Sequence, residues 1–459
     1  MQDIGLIGLG VMGQNLVLNI SEKGYKVSVY NRTFEITEEF TKNNSSITGF
    51  ENIKDFVLSL KTPRKIMIMV KAGDAVDSVI SELIKFIDKK DIIIDCGNSF
   101  YKDTDRRNDY LQSLGFRYIG LGVSGGEEGA RNGASFMAGG EITAYNEIKD
   151  IIEKAAATDF YGTKCAGYFG LGGAGHFVKM VHNGIEYIDM QLLSEVYSIF
   201  QRSSKNNSQI ADIFSNWNNN ELSSYLVEIS EKILRKKDDD GSDLVDHILD
   251  TVSQKGTGQW TSITSLENSI PAFAFSASVF SRVVSSSKDQ RVKISSMYKT
   301  NKNSLSLPTL SVEKAYLIAK ILAYIQGLEL IAKVSEEKLW NIDLSECIRV
   351  WQGGCIIRSV LLKKFNSILK DSKKLTNLLE NQDIAEIINT NINDLRQIAS
   401  ESILLNIPLP GMMSCLIYLD MYSSKQLPAN LTAAQRDYFG AHGYKRNDKE
   451  GDFHTDWSL

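Results

Sequence analysis

Short, unbroken apolar runs alternate with amphipathic stretches over the first third of the chain. The runs Ile4–Ile7, Lys26–Tyr30, Lys65–Val70, Asp91–Asp95 and Arg117–Leu121 are rich in Ile, Val or Met. Continuous apolar runs separated by helical patterns predict strands buried on both faces, as in a parallel, doubly wound sheet. Gly133–Gly140 and Phe160–Tyr161 are expected to add edge strands. A glycine-rich hinge from Gly167 to Gly175 follows, and beyond it the period turns helical. Val178, Val181, Ile185, Ile188 and Leu192 recur there at three- and four-residue steps. The segment from Lys320 to Glu329 faintly echoes Lys179 to Glu186, a hint of internal duplication. After Pro428 the chain is polar and aromatic without a long apolar face, so this end is disordered or ordered against something else. The pattern thus predicts a doubly wound α/β domain over 1–175, a large all-α domain over 176–425, and a C-terminal tail over 426–459.

Composition narrows the class. Hydrophobic residues make 43% and charged residues 23% of the chain, the balance of a globular rather than a disordered protein. The formal net charge of −5 argues against a nucleic-acid surface but allows a local basic pocket for a small anion. Five cysteines, odd in number and without a C-x-x-C pair, read as reduced thiols of a cytoplasmic protein rather than a disulfide framework or zinc site. The chain enters an apolar strand at once, with no basic leader pattern, and no run of 18 apolar residues predicts a membrane span.

Gly8-Leu9-Gly10-Val11-Met12-Gly13 follows a predicted strand and opens a predicted helix. The first glycine permits the turn, the second lets a pyrophosphate approach the backbone, and the third packs helix on strand. This is the Rossmann-like dinucleotide fingerprint. An NAD enzyme usually carries an acidic residue at the end of the second strand. This chain has Asn31-Arg32-Thr33, where a guanidinium and a hydroxyl can bind a 2′-phosphate without carboxylate repulsion, so the expected cofactor is NADP.

A second site is expected just past the hinge. At ~100° per residue, Lys179, His182, Asn183 and Glu186 fall on one helix face. Such a face is often merely solvated, but this one follows the dinucleotide domain directly, where a cleft between domains is expected. Ser124-Gly125-Gly126 follows the run Arg117–Leu121, at the carboxyl edge where α/β sheets bind ligands. Its amides and hydroxyl could hold a substrate carboxylate. Asn98 occupies the equivalent place after an earlier strand and could reach both cofactor and substrate.

With these motifs in view the chain resembles the 6-phosphogluconate dehydrogenase family from end to end. The resemblance rests on GLGVMGQNL, NRT, VKAG, GNS, VSGGEEGAR, KMVHNGIEY, KGTGQWT, VFSR, SSSKDQR and AQRDYFGAH. It implies oxidative decarboxylation of 6-phospho-D-gluconate to ribulose 5-phosphate with reduction of NADP, a pentose phosphate pathway step of gluconate utilization. It puts the general base on Lys179 and the general acid on Glu186. Cofactor contacts would fall on Gly8 to Gly13, Asn31, Arg32, Thr33, Val70, Lys71, Ala72 and Asn98. Substrate contacts would fall on Asn98, Ser124, Gly125, Gly126, His182, Asn183, Tyr187, Lys255, Arg282, Arg436 and His442. It implies a homodimer whose tail enters the neighbouring subunit, and no metal, since a lysine ammonium can polarise the ketone and no ligand cluster stands out in the sequence. Cys96, Phe100 and Gln259 depart from the residues common in the family, as does the end AHGYKRNDKEG. Two rival readings remain: a β-hydroxyacid dehydrogenase for a smaller substrate, and a non-catalytic NADP-binding protein.

Overall fold

The computed structural model describes residues 1–459 except 255, 302, 372–376 and 458–459. Lys255, expected among the substrate contacts, therefore lies outside the described residues. Eight strands form one sheet in the order β3-β2-β1-β4-β5-β6-β7-β8. They are β1 (Ile4–Ile7), β2 (Val27–Tyr30), β3 (Ile47–Phe50), β4 (Lys65–Ile68), β5 (Ile92–Asp95), β6 (Arg117–Ser124), β7 (Ser135–Gly140) and β8 (Ala166–Tyr168). The first six pair in parallel, with Ile4 opposite Val27 and Ile94 opposite Met67 and Ile119. β7 runs antiparallel to β6, and β8 is parallel to β7. Every residue of β1 and β5 is buried, as their Ile-rich runs require of strands covered by helices on both faces.

Three details differ from the sequence pattern. β3 was not expected; its four residues, ITGF, include a glycine and become exposed toward the sheet edge, so they carry little apolar signal. Phe160–Tyr161 is not a strand, because the Asp159 carboxylate accepts the amides of Tyr161 and Thr163, both at 2.8 Å, and closes a turn there. The edge strand is β8 instead, so part of the expected hinge is sheet.

The site helix, Ala174–Arg202, begins directly after this strand and lies along β6. Glycines permit the approach. A Cβ on Gly122 would sit 2.5 Å from the Cβ of Lys179, and one on Gly120 would sit 2.9 Å from His176 Nδ1. One turn further on, Ser124 Oγ meets His182 Nε2 at 3.1 Å. Alternate residues on one face of β6 thus face successive turns of the helix, which carries Lys179 to the sheet's carboxyl edge.

From there up to the tail the described residues form helices joined by loops. Thr309–Glu337, which like the site helix has 29 residues, packs against it. By length and composition this helix could cross a membrane, but 89% of its most apolar window is buried inside the fold. Lys320 on it pairs with Asp189 of the site helix at 2.9 Å, and the Tyr316 hydroxyl donates to the same carboxylate at 2.6 Å. Lys320 is therefore an ion-paired core lysine, unlike its echo Lys179.

The tail is ordered locally, by a helix (Ala429–Gly440) and a two-stranded hairpin of β9 (Tyr444–Lys445) and β10 (Asp452–Phe453). Asp437 binds these parts together. It accepts from the Gly443 amide (2.9 Å), the Thr455 amide (3.0 Å), the Trp457 indole (2.8 Å) and His454 (2.8 Å).

The seam between β6 and the site helix gives a direct prediction. Gly122→Ala adds a methyl where Lys179 leaves no room, so it should cost about 1–3 kcal/mol or more of stability, as overpacking does. Urea denaturation measures this; an unchanged midpoint would show that the helix stands further off the sheet than described.

Candidate active site

The glycine turn has the shape its motif requires. Gly8 has φ +104°, and a Cβ there would strike the Met69 carbonyl at 2.4 Å; one on Gly13 would strike the Gly8 carbonyl at 2.0 Å. A Cβ on Gly10 would meet nothing within 4 Å, so the backbone there faces open space at the start of the Val11–Glu22 helix. Asn31 braces this turn: its Oδ1 accepts the Leu9 amide and its Nδ2 donates to the Thr33 carbonyl, both at 3.1 Å. Arg32 and Thr33 project outward and are exposed. Val70 and Ala72, half-buried, and exposed Lys71 follow β4.

A buried polar network fixes the next two loops. Asp95 accepts from the Gly97 amide (3.0 Å), the Ser99 hydroxyl (2.7 Å) and the Tyr118 hydroxyl (3.0 Å), which leaves Asn98 exposed at the rim. Arg107, 2% exposed, donates to the Gly73 carbonyl at 3.0 Å and to Asp77 at 2.8 Å, and stands 3.6 Å from Asp95. Its hydrogen bonds hold the Asp77 carboxyl down to about 2. Asp95 and Arg107 were not among the residues expected from the sequence; they touch the loops rather than the open space.

The polar face of the site helix turns inward. Lys179, His182 and Asn183 are all buried, as is Tyr187, while Glu186 is partly open. Lys179 Nζ lies 3.3 Å from His182 Nδ1, which also lies 3.3 Å from Asn183 Oδ1 and 4.0 Å from Glu186 Oε2. Burial pulls the Lys179 pKa down to about 8, against the opposing pull of the Glu186 carboxylate. Burial also lowers His182 well below its ordinary value, helped by the charge of Lys179. Glu186 moves up through burial, although Lys179 and Arg282 pull it back. An ammonium has donors only and an amide oxygen only accepts, so His182 Nδ1 can accept from a protonated Lys179 or, carrying a proton, donate to Asn183 Oδ1, but not both at once.

Lys179 and Asn183 line one small cavity with Asn98, Ser99, His176, Met180, Thr257 and Trp260. Thr257 is a residue the sequence reading missed; its place inside the KGTGQWT motif was the available signal. Gly125 (φ +128°) and Gly126 (φ +60°) turn away from the end of β6, next to Ser124. The Arg282 guanidinium lies 3.5 Å above the Tyr187 ring. Among the described residues its donors reach only the Ser253 carbonyl at 3.5 Å and the Met190 sulfur at 3.6 Å. Arg436 and His442 are not brought to this cavity: both are exposed on the tail, and His442 packs edge-on against Phe439. Asp238, Asp240 and His247, all exposed, have metal-type ligand atoms within 4.8 Å of one another, a grouping the sequence did not suggest.

Two family models match the chain: the NAD binding domain of 6-phosphogluconate dehydrogenase over residues 3–170, and the C-terminal domain of that enzyme over residues 175–457. The chain is 45% identical to a decarboxylating 6-phosphogluconate dehydrogenase of Escherichia coli and 46% identical to an NADP(+)-dependent one of Bacillus subtilis. Each match covers 99% of both chains. The chain belongs to the 6-phosphogluconate dehydrogenase family. The solved Plasmodium falciparum 6-phosphogluconate dehydrogenase, studied alone, with its cofactor NADP+ and with its substrate 6-phosphogluconate, superposes with a TM-score of 0.95. It is 43% identical, over 99% of this chain and all of that one.

Within this family member, each of the three unusual positions has a clear place. Cys96 is buried behind β5, while Gln259 is exposed beside the cavity residues Thr257 and Trp260. Phe100 packs on Trp260 itself.

The electrostatics of the helix face can be tested without turnover. By NMR of ¹³C-methylated lysines, Lys179 should titrate near pH 8, well below the usual value of about 10.4. In Glu186→Gln it should titrate lower still, because the carboxylate that opposes burial is gone. A normal lysine pKa in the wild type would contradict the burial argument.

Proposed function

We propose that this chain oxidises and decarboxylates 6-phospho-D-gluconate to ribulose 5-phosphate and CO₂ while reducing NADP to NADPH, as in the pentose phosphate pathway. The observation that carries this reading is a buried lysine, its pKa lowered to about 8, two helical turns from a raised carboxyl in a chain matched end to end by its relatives. Residues 1–175 would hold the cofactor, 176–425 the substrate and the dimer contact, and 426–459 the tail.

The dinucleotide fits the first half. The open backbone at Gly10 and the tight turn around Gly8 and Gly13 suit a pyrophosphate, and exposed Arg32 and Thr33 suit a 2′-phosphate. When bound, NADP supplies the hydride acceptor. Neutral Lys179 takes the proton of the substrate's C3 hydroxyl as the hydride leaves that carbon. Protonated Lys179 then hydrogen-bonds the new ketone, which accepts the electrons of the C1–C2 bond as CO₂ departs. Glu186, a carboxyl that burial helps keep protonated, gives a proton to the carbon that lost CO₂. Asn98, Ser124, Gly125, Gly126, His182 and Asn183 would hold the acid end, and Tyr187, under the Arg282 guanidinium at 3.5 Å, would lie toward the phosphate. Arg282, with weakly engaged donors, would meet the phosphate together with Lys255 and the partner's copies of Arg436 and His442.

The tail supports a homodimer with exchanged tails. Its fold is closed on Asp437, while Leu431, Tyr438 and Phe439 remain widely exposed. Five free, buried cysteines support a cytoplasmic setting. The test of the activity is absorbance at 340 nm with 6-phosphogluconate and NADP, alongside measured CO₂. NADPH formed only with a smaller hydroxyacid, or NADP binding without turnover, would favour one of the rival readings.

Cofactor choice follows from Arg32. Charge-assisted hydrogen bonds contribute about 1.5–3 kcal/mol, and about 1.4 kcal/mol is tenfold. Arg32→Leu should therefore raise KM for NADP at least about tenfold with little change for NAD; equal losses would sink the assignment.

Tail exchange is tested by complementation. Chains bearing Lys179→Met and Arg436→Ala, each nearly inactive alone, are mixed, unfolded and refolded. Random re-association makes about half the dimers mixed, and each holds one intact site, so roughly a quarter of wild-type activity should return. A tail acting on its own chain leaves every site with a lesion and gives no rescue in proven heterodimers.

A further inference from the structure

A run of aromatic rings crosses the cleft. Trp260, on the Thr257–Glu267 helix, packs against Phe100 with ring centres 5.0 Å apart and planes at 32°. Phe100 meets Tyr101 edge-on at 5.1 Å, and Tyr101 meets Phe177 edge-on at 5.1 Å. Trp340 closes the group on Phe177 at 5.4 Å and on Tyr101 at 6.0 Å. The run therefore joins three elements that carry site residues: the loop holding Asn98, the site helix two residues before Lys179, and the helix of Thr257.

The helix of Thr257 is fixed firmly on one side. Gly258 leaves no room for a Cβ against the Tyr187 ring, at 2.4 Å, and Thr261 donates to the Met180 carbonyl at 3.0 Å. Toward the sheet it meets the consecutive aromatic residues Phe100 and Tyr101, and an exposed ion pair of Lys102 with Glu267 at 2.7 Å. An exposed pair of that kind holds little. Phe100 stands two residues after Asn98, and Trp260 one turn after Thr257. Asn98, Thr257 and Trp260 all line the cavity of Lys179.

We propose that Phe100 is a positioning residue: through Trp260 it sets the distance between the Asn98 loop and the Thr257 helix, and so the width of the cleft that receives the sugar acid. This rests on the functional reading above. The cofactor's glycine turn and residues 31–33 and 70–72 lie on other loops and only Asn98 is shared, so the effect falls mainly on the sugar acid and much less on NADP.

The experiment compares Phe100→Ala, Phe100→Leu and Phe100→Tyr in the full-length enzyme. Phe100→Ala should raise KM for 6-phosphogluconate about three- to tenfold, with kcat and KM for NADP changed less than about twofold. Phe100→Tyr, which keeps the ring, should restore the wild-type KM. Phe100→Leu, which keeps the apolar bulk and guards against a misfolded alanine variant, should fall between them. The emission contributed by Trp260, taken as the difference from Trp260→Phe, should shift to the red in Phe100→Ala. Wild-type constants in Phe100→Ala would overturn the proposal. So would a uniform loss in kcat and both KM values that Phe100→Tyr does not repair, since that marks packing alone. A wild-type chain without turnover would sink the functional reading first; an active wild type beside an unchanged Phe100→Ala sinks this inference alone.

Discussion

Everything at the site depends on how closely one helix lies on one strand. Gly120 and Gly122 of β6 have no side chains to hold the site helix off, and a Cβ on Gly175 would strike the Met137 carbonyl at 2.4 Å. Backbone therefore meets backbone along the seam. His176, Lys179 and His182 follow one another along β6 and end beside Ser124, the last residue of the strand. A branched side chain at any of these glycines would force the helix away and move the lysine with it. The sheet's carboxyl edge, where doubly wound folds bind ligands, thereby gains a residue from the helical half.

That same closeness sets the chemistry. Lys179 is surrounded by protein, and desolvation outweighs the attraction of Glu186, so its pKa falls to about 8. Glu186 feels the same burial with opposite sign, because removing water always disfavours the charged form. Lysine and carboxyl move toward neutrality from opposite ends of the scale, the arrangement acid–base catalysis near neutral pH requires. Lys320 makes the contrast within one fold. Equally buried, it has Asp189 at 2.9 Å and a tyrosine hydroxyl beside it, so it serves as a core ion pair. Burial with a paired counter-charge builds a core ion pair; burial without one lowers a lysine's pKa.

Much of this was legible in the sequence, and what was not has physical causes. The Ile-rich runs of β1, β4 and β5 announce themselves because strands buried on both faces need apolar residues throughout. β3 carries too little apolar content to do so, and the Phe160–Tyr161 run misled because a carboxylate two residues away from Tyr161 captures the amides a strand would need. The spacing of Lys179, His182, Asn183 and Glu186 gave one helix face, but period alone says nothing of what covers it. Here the covering is a strand of glycines, so a face that reads as solvated is mostly buried. Thr257 and the Arg107–Asp95 network escaped because each acts through neighbours far away in sequence.

The tail shows the opposite limit, where a local arrangement is complete and its use is not. Asp437 is buried among four donors. Burial pushes its pKa up, but the donors from Gly443, Thr455, Trp457 and His454 outweigh that and hold the carboxyl well below the usual range. One side chain thus ties the tail helix and hairpin into one unit. Within that unit Tyr438 meets the Trp457 ring and Phe439 the His442 ring, yet they stay 68% and 73% exposed. A preformed tail with exposed rings would lose little conformational freedom on docking, so in the exchanged-tail dimer proposed above the apolar area buried would go into holding the second chain rather than into ordering the tail.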